Sequence, residues 1–268
     1  DASICLFSNT RNAKLVWKAH IPYRLAPATK LAQVLYNQRL VQRRSRSQKP
    51  EYEYNLDLVR RFLADQHQTV VEPQGPYLGF DPESLLQVRE QVAARLRLDA
   101  SRPWLMVHAG SGGSANNLSI EQYSRLIIKL NQACPELQCV LTAGPGEEGK
   151  AEQLAAELLA HGGNGWIYRS DEGLPKFCQV MANAALFVAG STGPLHIAAA
   201  MDVPTVGFFP AHRSATPLRW RPLNGEGRHL PFSPPEDSDH PEDMSQLDPK
   251  AMAAEIARWA PPFWRAER

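Results

Sequence analysis

The second half of the chain alternates short apolar runs with longer amphipathic segments. From residue 103 onward the apolar runs have the length of buried strands, and the segments between them repeat apolar residues at helical spacing. Strands are predicted at 104–108, 137–142, 165–168, 184–188 and 204–209. Helices are predicted at 82–98, 119–133, 147–159, 174–182 and 194–201. This alternation is typical of a parallel, doubly wound sheet, so we expect the α/β fold class.

The pattern before residue 81 is shorter and less regular. Strands are predicted at 2–8 and 23–26, and helices at 10–19, 30–41 and 53–65. Residues 68–80 are rich in Pro and Gly and are expected to form a linker. We therefore divide the chain into an incomplete N-terminal domain with its linker, residues 1–80, and a C-terminal Rossmann-like domain, residues 81–268.

The order weakens again after residue 209. Residues 210–222 and 231–248 are predicted to be loops, and Asp248 is predicted to cap a helix that runs to about residue 260. The acidic run 236–243 has the side chains of a cation site, but its spacing fits no metal-binding loop, so an exposed acidic loop is favoured.

The turn between the strand at 184–188 and the helix after it is the strongest candidate for a binding site. It contains Gly190, Ser191, Thr192 and Gly193, and Pro194 fits the first helical position, where its missing N–H costs nothing. Free backbone N–H groups, two hydroxyls and a positive helix end suit an anion such as phosphate, to which His196 could donate. The alternative is an ordinary capped helix with a packed histidine.

Two further loops follow predicted strands of the same sheet. Residues 109–118 are rich in Gly, Ser and Asn, but they match neither a P-loop nor the GxGxxG pattern. The turn at 143–147 places Glu147 and Glu148 where they could accept from ribose hydroxyls, although acids in a first helical turn also serve as simple caps. Because the carboxyl ends of parallel strands meet at one edge, the three loops are expected to converge on one ligand.

Charge is distributed unevenly along the chain. The net charge is +1, yet residues 1–50 hold ten Lys and Arg and a single acid, Asp1. This basic segment favours an anionic partner such as nucleic acid, a membrane surface or a phosphorylated glycolipid, unless it is only a solvated loop. No apolar run reaches transmembrane length, no signal peptide is visible, and the four cysteines lack metal-like spacing. Buried thiols in a reducing compartment are therefore expected.

Four segments of the chain, taken in order, resemble the motifs of one enzyme family. Residues 108–119 resemble the loop His-Pro-Gly-Ser-Ser-Gly-Ser-Ala-Lys-Arg-Trp-Pro, and residues 191–200 resemble Asp-Ser/Thr-Gly-Pro-x-His-x-Ala-x-Ala. Residues 21–25 and 53–56 are similar to the shorter motifs Gly-Ile-Pro-x-Arg-Ile-Gly and Glu-x-Asn-Leu. The family is the ADP-heptose:lipopolysaccharide heptosyltransferases, glycosyltransferase family 9.

The resemblance implies a two-domain GT-B fold in which the C-terminal domain holds most of the nucleotide-sugar donor. It implies an inverting transfer of a heptose or related sugar to the lipopolysaccharide inner core, at the cytoplasmic, inner face of the inner membrane. The basic N-terminal segment would then contact the anionic glycolipid and the membrane, and neither nucleic acid, metal nor a further cofactor is implied. The residues expected to bind the donor diphosphate are Ser111, Asn116, Ser191, Thr192, Gly193 and His196, and those expected to bind the ribose are Glu147 and Glu148.

The chain departs from the family pattern at three places. Asn116 stands where the family usually has Lys, and Ser191 stands where it usually has Asp. The glycine-rich turn that carries the family's general base has no counterpart in residues 1–268, so we expect an N-terminal truncation with the base before Asp1. The chain as given is then expected not to catalyse transfer alone. The alternative functions are an epimerase-like GT-B enzyme acting on nucleotide sugars and a non-catalytic nucleotide-binding module.

Overall fold

A computed structural model describes residues 1–110, 112, 116–235 and 237–265. The chain forms two compact units: the first combines Asp1–Pro73 with Arg213–Arg221, and the second combines Gln74–His212 with Pro222–Arg268. The sequence-based division instead placed one boundary at residues 80 and 81 and kept the segment 213–221 in the second domain.

The first unit contains three parallel strands in the order β1-β2-β3. They are β1 (Ala2–Ile4), β2 (Tyr23–Pro27) and β3 (Gln38–Leu40), with helix α1 (Thr10–Lys18) between β1 and β2 and helix α2 (Glu51–Asp65) after β3. Asn9 caps α1 by accepting a hydrogen bond from the amide of Asn12. The fully buried side chains of Leu25 and Leu58 come from β2 and α2.

The helix predicted at 30–41 is wrong. The structure has a short 3-10 turn at Leu31–Leu35 and then β3, which pairs with the free edge of β2. The apolar residues of this segment do not form one buried face, because Leu31 and Val34 are 90% and 72% exposed. Pairing with β2 satisfies backbone groups that a helix on this edge would leave unpaired. The first strand is also shorter than predicted and ends at Ile4.

The second unit contains, among its described residues, a sheet of six parallel strands in the order β6-β5-β4-β7-β8-β9. The strands are β4 (Trp104–His108), β5 (Gln138–Ala143), β6 (Trp166–Arg169), β7 (Leu186–Gly190), β8 (Thr205–Phe208) and β9 (His229–Phe232). The helices are α3 (Pro82–Leu96), α4 (Ile120–Ala133), α5 (Glu148–Ala160), α6 (Leu174–Met181), α7 (Gly193–Ala200), α8 (Pro249–Trp259) and α9 (Pro262–Arg265).

Local sequence signals explain where these helices begin. Ser119 and Gln122 form a capping box at the start of α4, and the carboxylates of Asp81 and Asp248 cap α3 and α8. Helix α3 ends at Arg97, which adopts a left-handed conformation with φ 57°. No helix in the described part of the chain is both long and apolar enough to cross a membrane.

Apolar side chains cover both faces of the second sheet. Along β4, Leu105 and Val107 face the core built with α4, α5 and α8, whereas Trp104 and Met106 face the core built with α3, α6 and α7. Strands buried on both faces become continuous apolar runs in the sequence, which is why the pattern from residue 103 predicted them well.

Strand β9 and helix α9 were not predicted. Residues 231–248 were expected to be a loop, but β9 extends to Phe232 and pairs with β8 in the register Thr205 to His229. Pro231 is tolerated because β9 lies at the edge of the sheet, where a backbone donor is not needed on the outer side. The single proline and the absence of a long apolar run hid this strand from the sequence pattern.

Replacement of Gly207 by Ala should destabilise the second unit. A Cβ at Gly207 would lie 2.6 Å from the ring of Phe209 and 2.9 Å from the ring of His229. Overpacking of this kind costs roughly 1–3 kcal/mol. Gly149→Ala is the matched control, because nothing lies within 4 Å of its added Cβ and the residue is in helix α5. Chemical denaturation should show a loss for Gly207→Ala only; equal stabilities would contradict the packing.

Candidate functional site

The candidate site lies where the strand order of the second sheet reverses. Strands β4 and β7 are neighbours, with His108 paired to Ala189, although the sheet grows outward from them in opposite directions. Helix α4 follows β4 on one face of the sheet and helix α7 follows β7 on the other. The two connections therefore separate beyond the carboxyl ends of these strands, which is where doubly wound sheets bind ligands.

The start of helix α7 carries an unsatisfied hydroxyl. Thr192 is the N-cap residue and is only 7% exposed, yet its side chain does not cap the helix. Its buried Oγ1 has no hydrogen-bond partner among the described residues. A buried hydroxyl without a partner is costly, so this oxygen is available to a ligand at the helix N-terminus. Gly193 follows with open space around its Cα, since nothing lies within 4 Å of an added Cβ.

His196 lies one turn further along α7. Its burial lowers its pKa below the usual value, so the imidazole is neutral at neutral pH and has one N–H to donate. The structure gives its ring no hydrogen bond to another described residue. Ser191 differs, because its amide already donates to the carbonyl of Phe208 at 3.2 Å. The predicted turn therefore supplies a hydroxyl, an imidazole and the first amides of the helix in one short segment.

The carboxylate of Glu147 connects the loop after β4 to the turn after β5. We call the described residues after β4, namely Ala109, Gly110, Gly112 and 116–119, the β4 segment. One carboxylate oxygen of Glu147 accepts from the amide of Gly112 at 3.1 Å, and the other lies 3.3 Å from the amide of Gly144. A Cβ on Gly110 would lie within 2.5 Å of this carboxylate, so a larger residue here would displace the Glu147 side chain from its present contacts.

His108 completes this arrangement from inside the sheet. Its Nε2 lies 3.2 Å from a carboxylate oxygen of Glu147, and its Nδ1 lies 3.0 Å from the hydroxyl of Thr142. Burial lowers the pKa of His108, and the nearby Lys150 acts in the same direction, whereas Glu147 opposes the shift. A neutral imidazole that donates from Nε2 to Glu147 accepts at Nδ1 from the Thr142 hydroxyl, which is nearer to Nδ1 than to the carbonyl of Val107, 3.4 Å away.

Sequence reasoning missed Asn117, whose side chain is bonded within the β4 segment and to α4 and packs against Gly190 at the end of β7. Its side-chain amide donates to the carbonyl of Ala109 at 3.0 Å, and its oxygen accepts from the hydroxyl of Tyr123 at 2.6 Å. A Cβ on Gly190 would lie 2.9 Å from that oxygen. Nothing in the local sequence pairs Asn117 with Gly190, because the contact exists only once β4 and β7 are neighbours.

The other predicted site residues have mixed surroundings. Ser111 lies outside the described residues. The side chain of Asn116 donates to the carbonyl of Glu242 at 3.2 Å, which ties it to the loop before α8. Glu148 is in the first turn of α5, and its carboxylate makes no hydrogen bond or ion pair in the described chain, unlike that of Glu147. Within the described residues, no group of three or more His, Cys, Asp or Glu side chains is placed to hold a metal ion.

Comparison with known proteins places this geometry in a family. Residues 4–232 match the family model "Glycosyltransferase family 9 (heptosyltransferase)". A Haemophilus influenzae protein named as a glycosyltransferase is 47% identical over 267 residues, a match that covers 99% of this chain and 76% of that protein.

Three solved structures are similar in fold. The Escherichia coli ADP-heptose lipopolysaccharide heptosyltransferase II has a TM-score of 0.67 at 16% identity, with 100% of this chain and 77% of that chain covered. A family 9 glycosyltransferase from Veillonella parvula has a TM-score of 0.73 at 13% identity, with 100% of this chain and 74% of that chain covered. The Escherichia coli heptosyltransferase WaaC with ADP has a TM-score of 0.65 at 19% identity, with 97% of this chain and 73% of that chain covered. These matches confirm the α/β fold class, with parallel sheets like those of GT-B heptosyltransferases.

Loss of the Glu147 carboxylate should destabilise the second unit. Glu147→Ala leaves the buried His108 and the amides of Gly112 and Gly144 without their acceptor. An unsatisfied buried donor costs roughly 1–3 kcal/mol. Glu148→Ala is the control and should cost only a few tenths of a kcal/mol through the helix dipole. If denaturation gives the same stability for both variants, Glu147 does not hold these loops.

Stability should also fall in mild acid because of the buried His108 and the half-buried His196. The pKa values of His108 and His196 are lowered in the folded state, so below about pH 6.5 the unfolded chain binds more protons than the folded one. The free energy of unfolding should therefore decrease as the pH falls from about 7 to about 5. His108→Gln should flatten this slope. A slope unaffected by His108→Gln would contradict the assignment.

Proposed function

The chain belongs to glycosyltransferase family 9, and on that premise we propose that its second unit binds an ADP-sugar donor for heptosyl transfer to the lipopolysaccharide inner core. The observation that carries this proposal is the buried, unpartnered hydroxyl of Thr192 at the N-terminus of α7. A diphosphate oxygen there would satisfy this hydroxyl and the free amides of the helix in one step.

The donor diphosphate is proposed to lie against the start of α7. Thr192, Gly193 and His196 would supply a hydroxyl, a backbone amide and an imidazole N–H, with Ser191 beside them. Ser111 and Asn116 are proposed to approach from the loop after β4, where Asn116 replaces the family's usual cation. The positive end of the helix and neutral donors would then carry the stabilisation that a lysine supplies elsewhere in the family.

The ribose is proposed to lie beside the turn before α5. Glu148 has a carboxylate free of partners in the described chain and accepts from ribose hydroxyls most readily. Glu147 is already bonded to two backbone amides and faces His108, so it contributes chiefly by holding the turn in place. It retains lone pairs, and a bond to the ribose through one of them is compatible with these contacts.

The reaction proposed is transfer of a heptose or related sugar with inversion at its anomeric carbon. Such a transfer needs a base for the acceptor hydroxyl, stabilisation of the departing diphosphate, and alignment of the two substrates. The second unit offers the stabilisation. In the first unit every carboxylate except Asp1 is ion-paired or capped by a partner side chain, namely Glu51, Glu53, Asp57, Asp65 and Glu72. We therefore propose that the 268-residue chain binds the donor without efficient transfer.

The acceptor is proposed to be an anionic, membrane-bound glycolipid. Ten Lys and Arg residues in the first 50 positions, against one acid, would attract its phosphate groups. The proposed reaction would take place at the cytoplasmic face of the inner membrane, with peripheral contact between the protein and the bilayer.

Two variants test the donor site by calorimetry with ADP. Thr192→Val and His196→Ala should each weaken ADP binding by roughly 1–2 kcal/mol, the value of a hydrogen bond to a charged group. Thr192→Val should not lower the thermal stability, because the buried hydroxyl makes no bond in the free protein. Thr69→Val and His161→Ala are the controls at exposed positions. Unchanged ADP affinity in both site variants would contradict this placement.

A transfer assay with labelled ADP-heptose and a lipopolysaccharide inner-core acceptor separates the alternatives. ADP binding without turnover is the expected result for this chain. Measurable turnover would mean that a base lies within residues 1–268, which would overturn the proposed inactivity and support the transfer reaction itself. Failure to bind ADP at all would contradict the proposed function.

A further inference from the structure

Two segments that are far apart in the sequence form one basic face of the first unit. The 3-10 turn Arg44–Arg46 and the segment Arg213–Arg221 both belong to this unit. The hydroxyl of Ser47 donates to the carbonyl of Arg213, and the amide of Glu51 donates to the carbonyl of Arg219 at 2.8 Å. The arginines carried by these segments are therefore neighbours on one surface.

The inner cations of this face are ion-paired. Glu51 forms ion pairs with both Arg44 and Arg219, and Lys49 pairs with Asp57. The three cations also lie over the ring of Tyr54, at 5.0 to 5.6 Å from its centroid. These side chains hold the two segments together, so their charges are already committed to the fold.

The outer part of the face is not compensated. Arg43, Arg46, Arg213 and Arg221 are exposed, and the structure gives their guanidinium groups no partner among the described residues. Apolar side chains lie among them in the chain: Val41 is 76% exposed and Trp220 is 39% exposed. From here on, the basic face means this outer part alone, which consists of Val41, Arg43, Arg46, Arg213, Trp220 and Arg221.

We infer that the basic face docks the protein on an anionic lipid bilayer. Unpaired arginines are attracted to anionic headgroups, while an exposed indole and an aliphatic side chain suit the boundary between headgroups and acyl chains. A partner that offers phosphates alone, such as a nucleic acid backbone, would provide no apolar contact for the exposed side chain of Val41. The inference rests on the proposed function only for the presence of a membrane-bound acceptor, and it specifies which surface meets the membrane.

One competing surface of the same unit, and one that also carries a tryptophan, is helix α1. It exposes Leu15 and Trp17, and it carries Arg11, Lys14 and Lys18 with no acid in its first turn. This helix has the same chemistry but a different tryptophan, so the two surfaces are separable by experiment.

Vesicle binding tests the inference without donor or acceptor. The full chain is sedimented with vesicles of phosphatidylcholine mixed with phosphatidylglycerol, and with vesicles of phosphatidylcholine alone. Binding should require the anionic lipid and weaken as salt is added. Arg43→Gln with Arg46→Gln should reduce the partition coefficient about 25-fold, since each charge near the surface contributes about fivefold. Arg213→Gln with Arg221→Gln should give a similar loss from the other segment.

Lys250→Gln with Arg258→Gln is the control for net charge. Both residues are exposed on α8 of the second unit, so this variant should keep its vesicle binding. Circular dichroism verifies that each variant is folded. A loss in the control equal to that in the arginine variants, or equal binding to both kinds of vesicle, would overturn the inference.

Brominated acyl chains then identify the tryptophan at the membrane. Trp220→Phe should remove most of the fluorescence quenching by brominated lipid, whereas Trp17→Phe should leave it. The reverse result would assign docking to α1 and overturn the inference. Tighter binding of duplex DNA than of anionic vesicles at the same salt, lost in the same arginine variants, would also overturn it. Because ADP and acceptor are absent, none of these outcomes depends on whether the chain transfers a sugar.

Discussion

The pairing of β4 with β7 is the constraint on which the site depends. Each strand is buried on both faces, so the pair is fixed by apolar packing as well as by its parallel hydrogen bonds. The helices that follow these strands lie on opposite faces of the sheet, so the backbone beyond their carboxyl ends separates. The turn before α7 and the β4 segment can face one ligand only because these strands, about eighty residues apart, are neighbours.

Within this frame the polar groups divide into those that are satisfied and those that are not. Glu147 bonds to His108 and to the amide of Gly112, and Asn117 bonds to the carbonyl of Ala109 and the hydroxyl of Tyr123. Their hydrogen bonds hold the loops in position before any ligand arrives, which lowers the ordering cost of binding. Thr192 and His196 have no such partners in the described chain. This division separates the scaffold of the proposed donor site from the groups that would contact the donor.

The charges of the first unit show the same division. Glu51 forms ion pairs with Arg44 and Arg219 where two distant segments meet. Part of the excess of basic residues therefore stabilises the fold. Arg43, Arg46, Arg213 and Arg221 are exposed with no acid beside them in the described chain. Net charge along the sequence therefore overstates the charge available to a partner, because it counts the cations that the fold has already paired.

The sequence by itself determined the α/β class and most of the strands and helices of the second unit, and it predicted an anion site at the turn 190–193. Each of these depends on residues close together in the chain: apolar runs, capping residues, and glycine and proline at a helix start. The family motifs that the chain resembles were also continuous stretches. The tertiary structure decided what distant residues do to one another. Residues 38–40 form a strand because they can pair with the edge of β2. Residues 229–232 form a strand because they pair with β8 at the edge of the second sheet. In the folded sheet Glu147 contacts His108, and Asn117 contacts Gly190. No local sequence pattern predicts these contacts, because they form only when separate strands pack side by side.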